Sequence, residues 1–218
     1  MRALFAACCV WLAATPALAD VHLFTRVGSI WITDPSFDLV SGTDALPNVL
    51  FGAGWEAGRG SPLAFEVAYG LAGASDEVFE AIDTNFLLQQ LQGAAIYRRP
   101  FSERWRWFAR GAAALEHASL DLGASRILEA SAWGLALEGT LGTELLLPIA
   151  ADGDEWGASL GLSVEAGYGL RPFGFDFAEA TVEGDDEAEP PPTAAGPIDV
   201  GTLDASGPIL RFGLSLRF

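Results

Sequence analysis

Three polar side chains near the middle of the chain could together hydrolyse an ester. His117 and Ser119 are separated by one residue, and Glu129 begins the next apolar segment. A serine hydroxyl becomes a nucleophile when a histidine accepts its proton and a carboxylate orients that histidine. Side chains two residues apart in a strand point to the same face, so His117 and Ser119 would share one. The alternative is that these residues only mark the start of a polar loop.

A second set of candidates consists of charged side chains at alternate positions among small residues. If the segments that carry them close into a narrow barrel, these side chains point into its lumen and form a buried ion-pair network. The structural interpretation is that they fill the lumen, and the functional alternative is a path for protons or ions. The set is Glu66, Arg104, Arg106, Arg110, Glu116, Glu138, Glu144, Glu165, Arg211 and Arg217.

The composition combines two properties that rarely occur together. Half of the 218 residues are hydrophobic, yet 29 acidic residues face 12 basic ones, all of them Arg, for a net charge of −17. Such an acidic chain disfavours nucleic-acid binding. The length suits one or two domains. No stretch after Asp20 approaches the roughly 18 consecutive apolar residues of a transmembrane helix.

The first 19 residues are typical of a cleaved secretory signal peptide. Arg2 precedes an apolar core, and Ala17-Leu18-Ala19 is a small-x-small cleavage site. A lipoprotein signal at Cys8 is the alternative. Cys8 and Cys9 are the only cysteines, so the mature chain 20–218 has no cysteine nucleophile, disulfide or thiolate metal site.

The mature chain alternates with period two, which predicts strands with two different faces. Leu63, Phe65, Val67, Tyr69 and Leu71 alternate with Ala64, Glu66, Ala68 and Gly70. The same pattern recurs over residues 48–56, 132–145, 159–170 and 209–218. One face is bulky and apolar, whereas the other is small with isolated charges. That combination favours a transmembrane barrel with lipid outside and a filled polar lumen inside.

Three further segments complete a set of eight predicted strands. Residues 21–34 are strand-like but leave the facing undecided. Over residues 85–98 we expect Leu87, Leu91, Ala95 and Tyr97 to face outward, and over residues 104–116 we expect Trp105, Trp107, Ala109, Ala113 and Leu115 to do so. The sequence therefore predicts one all-β domain, an eight-stranded antiparallel up-and-down transmembrane barrel over residues 20–218.

Loop lengths and aromatic positions give this barrel an orientation. Short links are predicted at 58–62, 99–102 and 148–155, and longer ones at 35–47, 73–84, 117–130 and 171–208. Outer-membrane barrels have short periplasmic turns and long external loops, so both termini would be periplasmic. Aromatic residues cluster at the two ends of the strands, as membrane interfaces favour: Trp55, Tyr97, Trp105, Trp107, Trp156 and Phe218 at one end, and Trp31, Tyr69, Trp133 and Tyr168 at the other.

The chain ends in Leu210-x-Phe212-x-Leu214-x-Leu216-x-Phe218. This ending resembles the C-terminal insertion signal of bacterial outer-membrane β-barrels, and the whole mature chain resembles the small OmpA-like or opacity-type barrels. The resemblance implies a Gram-negative outer-membrane location, lipid and lipopolysaccharide as surroundings, and the barrel-insertion machinery as a partner during biogenesis. In OmpA-type barrels a lumen charge network plugs or gates the narrow interior.

A structural or surface-interaction role through the external loops, without enzymatic activity, is the function expected from that resemblance. The ligand of those loops stays open. A narrow conduit for small solutes is one alternative. Another follows from the His117-x-Ser119 pair, which looks like that of outer-membrane lipid A deacylases on eight-stranded barrels, although Leu120 stands where an Asn is expected.

The last predicted loop, residues 171–208, is long and acidic. The run Pro190-Pro191-Pro192 resists both helix and sheet, and a solvated, disordered external loop is the expectation. The alternatives are divalent-cation bridging to lipopolysaccharide or docking of a basic partner. The acids lack the fixed spacing of a calcium loop, so we predict no metal site and no cofactor. They are Asp176, Glu179, Glu183, Asp185, Asp186, Glu187, Glu189, Asp199 and Asp204.

Overall fold

Eight long antiparallel strands form a closed barrel, which confirms the predicted fold class. The computed structural model describes residues 21–57, 61–78, 82–123, 127–149, 158–177, 181–183 and 201–218. Neighbouring strands pair in chain order, and the last barrel strand pairs with the first to complete the circle. The barrel strands are β1 (Val21–Trp31), β2 (Ala45–Glu56), β3 (Leu63–Val78), β4 (Ile82–Pro100), β5 (Trp105–Gly123), β6 (Ile127–Pro148), β7 (Ser159–Leu170) and β11 (Gly207–Arg217).

Both described ends of the chain lie at one end of the barrel. The backbone N–H of Phe218 donates to the carbonyl of Val21 over 3.0 Å. The connections β2–β3, β4–β5 and β6–β7 lie at this same end because the strands alternate in direction. The predicted signal peptide, Trp156 and the run Pro190–Pro192 fall outside the described residues.

Two of the predicted long loops are wrong. Strands β3 and β4 remain paired as far as Val78 and Ile82, and β5 and β6 as far as Gly123 and Ile127. Alternation continues through both segments, but with the opposite facing. Large apolar side chains there point inward and polar ones outward. The sequence prediction expected apolar residues on the lipid-facing side of every strand, so these segments were predicted as loops.

The barrel thus has two sections with opposite polarity. In the section nearer the termini, which we call the belt section, large apolar residues face out and charges face in. At the other end, the cap section, Phe86, Leu88, Ala118 and Leu120 are buried inside while Asp83 and Asn85 are exposed. The cap section therefore has an apolar core and a polar outer face, as a protein surrounded by water does.

Connections at the cap end contribute to that core. A short 3-10 helix, Pro35–Leu39, contributes Phe37, which is fully buried, and the residue after the helix, Val40, is also buried. After β7, the two-residue strands β8 (Phe175–Asp176) and β10 (Thr202–Leu203) pair with each other, and β9 (Thr181–Glu183) pairs with the tip of β6.

The described parts of the 171–208 segment are not a solvated loop, contrary to expectation. Phe175, Phe177, Leu203 and Ala205 are buried in the cap core. A methyl group on inward-facing Gly134 would lie only 2.7 Å from Cε1 of Phe175, so that glycine makes room for the ring. The prediction of a solvated loop followed from the many acids of this segment and overlooked the apolar residues that lie between them.

The undecided facing of β1 is resolved by its register. Its inward residues are His22, Phe24, Arg26 and Ile30, and its outward ones include Leu23, Val27 and Trp31. Within the described residues no helix is long and apolar enough to cross a membrane.

Candidate functional site

The outer surface of the belt section is a continuous apolar band. Leu91 is 58% exposed, Leu141 67% and Phe212 56%, and similar side chains occupy the outward positions of every barrel strand. Soluble monomers rarely expose contiguous apolar patches beyond a few hundred Å². On β5 the band runs from Trp105 to Leu115, which matches the roughly 9 to 11 residues of a membrane-spanning β-strand.

Inside the belt section, Glu66 lies at the centre of a first group of charges. Arg26 donates to both of its carboxylate oxygens over 2.8 Å. His22 Nε2 lies 3.0 Å from Oε1 of the same carboxylate, and Arg98 Nη2 donates to that oxygen over 3.2 Å. The four side chains come from β1, β3 and β4, and all are buried.

Glu138 is the centre of a second group. Arg211 donates to both of its oxygens over 2.8 Å, and Gln92 Nε2 donates to Oε2 over 2.7 Å. Arg110 lies 3.4 Å from Oε2 and also donates to Gln92. Glu165 lies 3.6 Å from Arg211, which joins β7 to the group.

A third group lies nearest the termini. Arg217 contacts Glu144 at 2.9 Å and Glu56 at 3.1 Å, and Ser215 donates to Glu144 over 3.1 Å. Arg106, whose side chain is 31% exposed, lies 3.6 Å from Glu56. This group continues the ion-pair network to the end of the lumen.

At the boundary with the cap section, a loop arginine enters the lumen. Arg171 follows β7 and donates to both oxygens of Glu116 over 2.8 Å. It also donates to the carbonyl of Ala205 over 2.5 Å, and its backbone N–H donates to the hydroxyl of Ser206 over 2.7 Å. Arg171 thereby ties the start and the end of the last connection to the barrel wall.

The lumen is electrically balanced and closed. Six glutamates and six arginines are buried in the described residues, so each buried charge has a partner of opposite sign, which a low-dielectric interior requires. A cavity of about 10 Å³ between His22, Arg26, Glu66 and Glu144 has room for about one water molecule. Above it, the apolar cap core fills the barrel. This interior has the geometry of a packed core rather than of a pore.

The structure brings together most of the charges singled out in the sequence. Glu66, Arg110, Glu116, Glu138, Glu144, Glu165, Arg211 and Arg217 are buried, and Arg106 lies at the rim. Arg104 was predicted inside and instead is exposed in the turn before β5, because β5 begins one residue later, at Trp105.

Sequence reasoning missed several members of the network. His22, which the sequence pattern does not single out, is buried against Glu66. Arg26, Glu56, Arg98 and Arg171 were also missed. The parity of β2 and β4 signals Glu56 and Arg98, but nothing local signals Arg171, which lies beyond the end of its strand. The terminal residues Leu210, Phe212, Leu214, Leu216 and Phe218 all face outward.

The candidate hydrolytic residues do not assemble. His117 packs on Trp133 with ring centroids 4.7 Å apart. Ser119 lies opposite Ser131, and Glu129 lies opposite Asp121. No hydrogen bond joins His117, Ser119 and Glu129 in the described part of the chain. Because β5 continues past Glu116, these residues are on the outer wall of the paired β5–β6 hairpin rather than at a loop start.

The described residues also hold no group of three or more His, Cys, Asp or Glu side chains arranged to bind a metal ion. The acids of the lumen are each occupied by arginines. The arrangement holds the barrel wall around a packed interior in which buried glutamates and arginines are equal in number.

Comparison with known proteins agrees with this fold. No protein-family model and no curated protein sequence matches the chain. Among solved structures, it is similar to Neisserial surface protein A (NspA), with a TM-score of 0.51 and 15% identity over 92% of this chain and 97% of that one. It is also similar to Ail, the attachment invasion locus protein of Yersinia pestis, with a TM-score of 0.46 and 10% identity over 92% and 98% of the two chains. The chain shares the fold of NspA, a small eight-stranded outer-membrane β-barrel.

Proposed function

We propose that this chain is an integral outer-membrane β-barrel protein of a Gram-negative envelope with a structural or surface-interaction role and no enzymatic activity. One observation carries this proposal: the apolar band around the belt section ends where the barrel inverts its polarity. A barrel whose outer face is apolar in one section and polar in the next is suited to span a membrane with the first section and to protrude into water with the second.

The proposed orientation places the termini in the periplasm and the cap section outside the cell. The two longest connections between barrel strands, residues 32–44 and 171–206, lie at the cap end, as external loops do in outer-membrane barrels. Outward Trp31, Tyr69, Trp133 and Tyr168 would contact the external lipid, including lipopolysaccharide, and outward Leu210 to Phe218 would be available to the insertion machinery. Surface roles would then belong to the cap section.

The interior supports this role over the alternatives. A conduit needs a continuous path, whereas the lumen holds paired charges, a one-water cavity and an apolar core. An esterase needs His117 within hydrogen-bond reach of Ser119, whereas its ring packs on Trp133. Neither function has a structural observation in its favour among the described residues.

Location and orientation can be tested together. Cells expressing the chain should yield it in the outer-membrane fraction, with faster gel mobility before boiling than after. Single cysteines at Asp38, in the cap section, and at Ser102, in a terminal-end turn, can be labelled with a membrane-impermeant maleimide. We expect labelling in intact cells at position 38 and only after permeabilisation at position 102. A soluble periplasmic product, or the reverse labelling, contradicts the proposal.

The surface role needs a separate test. The amide of Phe177 donates to the carbonyl of Gly201 over 3.0 Å, so residues 178–200 can be replaced by a short Gly-Ser link across a small gap. The shortened chain should keep its heat-modifiable mobility while cell adhesion or envelope integrity declines. Unchanged adhesion and integrity would count against the surface role.

A further inference from the structure

Two arginines of the terminal-end rim differ from all others in the described chain. Seven described arginines contact a glutamate: Arg26, Arg98, Arg106, Arg110, Arg171, Arg211 and Arg217. Arg99 and Arg104 have no acidic partner among the described residues. Acids outnumber bases 29 to 12 in the chain, so two guanidinium groups in one hairpin that have no acidic partner among the described residues are available to an anionic partner outside the protein.

Both arginines lie in the β4–β5 hairpin among exposed aromatic rings. Arg99 points outward near the end of β4, directly across from Trp107 on β5. Phe101 is 61% exposed in the turn and stacks on Trp105, with ring centroids 6.2 Å apart. Amphipathic rings of this kind lie at the level of lipid headgroups. The guanidinium groups therefore lie where headgroup phosphates would be.

The hairpin also holds these groups in place. Arg99 Nε donates to the hydroxyl of Tyr97 over 2.6 Å, and its guanidinium carbon lies 5.7 Å from the centre of that ring. Ser102 accepts a bond from the backbone N–H of Trp105 over 3.1 Å. The carbonyl of Arg104 accepts from the N–H of Leu146 over 2.8 Å, which fixes the turn to β6.

We propose that the β4–β5 hairpin binds the phosphate groups of anionic phospholipids through Arg99 and Arg104. A guanidinium presents two parallel N–H donors that match a phosphate, and Tyr97 leaves the terminal nitrogens of Arg99 free to do so. This inference rests on the proposed function, because the hairpin meets the phospholipid leaflet on the periplasmic side only in that orientation.

The test uses the mature chain folded into nanodiscs of phosphatidylcholine that contain a small fraction of brominated phosphatidylglycerol. Bromine quenches nearby tryptophans, and Trp105 and Trp107 flank the arginines. An arginine close to an anionic surface contributes about a fivefold preference. We expect stronger quenching by brominated phosphatidylglycerol than by brominated phosphatidylcholine, and the difference should decrease at high salt.

Matched variants locate the effect. R99Q/R104Q should lose the preference, whereas E103Q, which removes the one acid of the same turn, should increase it. D121N removes one negative charge, as E103Q does, but at the cap end, and it should leave the lipid preference unchanged. Equal quenching by the two lipids in the wild type, or a preference that survives in R99Q/R104Q, overturns the inference. A chain that does not fold into nanodiscs, shown by gel mobility, instead contradicts the proposed membrane function.

Discussion

Arg171 and Glu116, 55 positions apart in the chain, form a bidentate ion pair inside the barrel, with both N–O distances at 2.8 Å. The pair lies between the charged lumen and the apolar cap core, since the next inward residue on β5 after Glu116 is the buried Ala118. A residue from a connection thus completes the interior of the barrel and anchors the segment that closes it.

Breaking this pair from one side should destabilise the barrel strongly. Glu116→Ala leaves a buried guanidinium without a counter-charge, which costs about 3–5 kcal/mol. The double variant E116L/R171M removes both charges, so its loss should be less than half of that. Urea unfolding of the folded barrel, followed by tryptophan fluorescence, measures both. An equal decrease in the free energy of unfolding in the two variants would show that an unpaired buried charge is not the cause of the destabilisation.

The closed lumen predicts electrical silence. A cavity with room for about one water molecule, followed by an apolar core, offers ions no continuous hydrated path. The purified barrel should therefore show no conductance steps in planar bilayers, while a wide porin refolded from the same detergent serves as the positive control. Reproducible steps from the wild-type barrel would contradict the packed interior.

Two glycines in neighbouring strands should respond differently to the same substitution. A methyl group on inward Gly167 would overlap the backbone oxygen of Gly139 and lie 2.7 Å from the Cα of Thr140. A methyl group on outward Gly139 meets nothing within 4 Å. We expect Gly167→Ala to destabilise the barrel by about 1–3 kcal/mol and Gly139→Ala to be neutral within about 0.5 kcal/mol. Similar unfolding midpoints for the two variants would contradict this close approach.

Asp34 should titrate below an ordinary aspartate. Partial burial alone would raise its pKa, but hydrogen bonds from Ser36 and from the backbone N–H of Asp204 outweigh burial and lower the pKa. The stabilisation by the carboxylate is therefore complete above the unfolded value of about 3.9 and is lost as the pH falls through the folded pKa. Amide NMR shifts of Ser36 and Asp204 should report a midpoint below that value, and D34N should abolish the titration. A midpoint at or above about 3.9 would contradict the stabilisation of the Asp34 carboxylate by these hydrogen bonds.

Apart from β1, the strands of the belt section and their facing follow from the sequence because both depend on local geometry. A period of two places Leu63, Phe65 and Val67 on one face and Ala64 and Glu66 on the other without knowledge of any partner strand. The eight-stranded barrel and the outward end from Leu210 to Phe218 follow from that parity. Parity also marks Glu66, Arg110, Glu138 and Arg211 as interior charges.

Which charges meet, and where the polarity inverts, were decided only by the tertiary structure. Arg217 reaches Glu56 and Arg26 reaches Glu66 because the stagger of the closed sheet sets which inward residues share a level of the lumen. Arg171 enters from a connection, so strand parity has no bearing on it. The cap inverts because the strands extend beyond the apolar band, and water outside reverses which face must be apolar. Period two is the same in lipid and in water, so the sequence pattern alone does not show where one solvent gives way to the other.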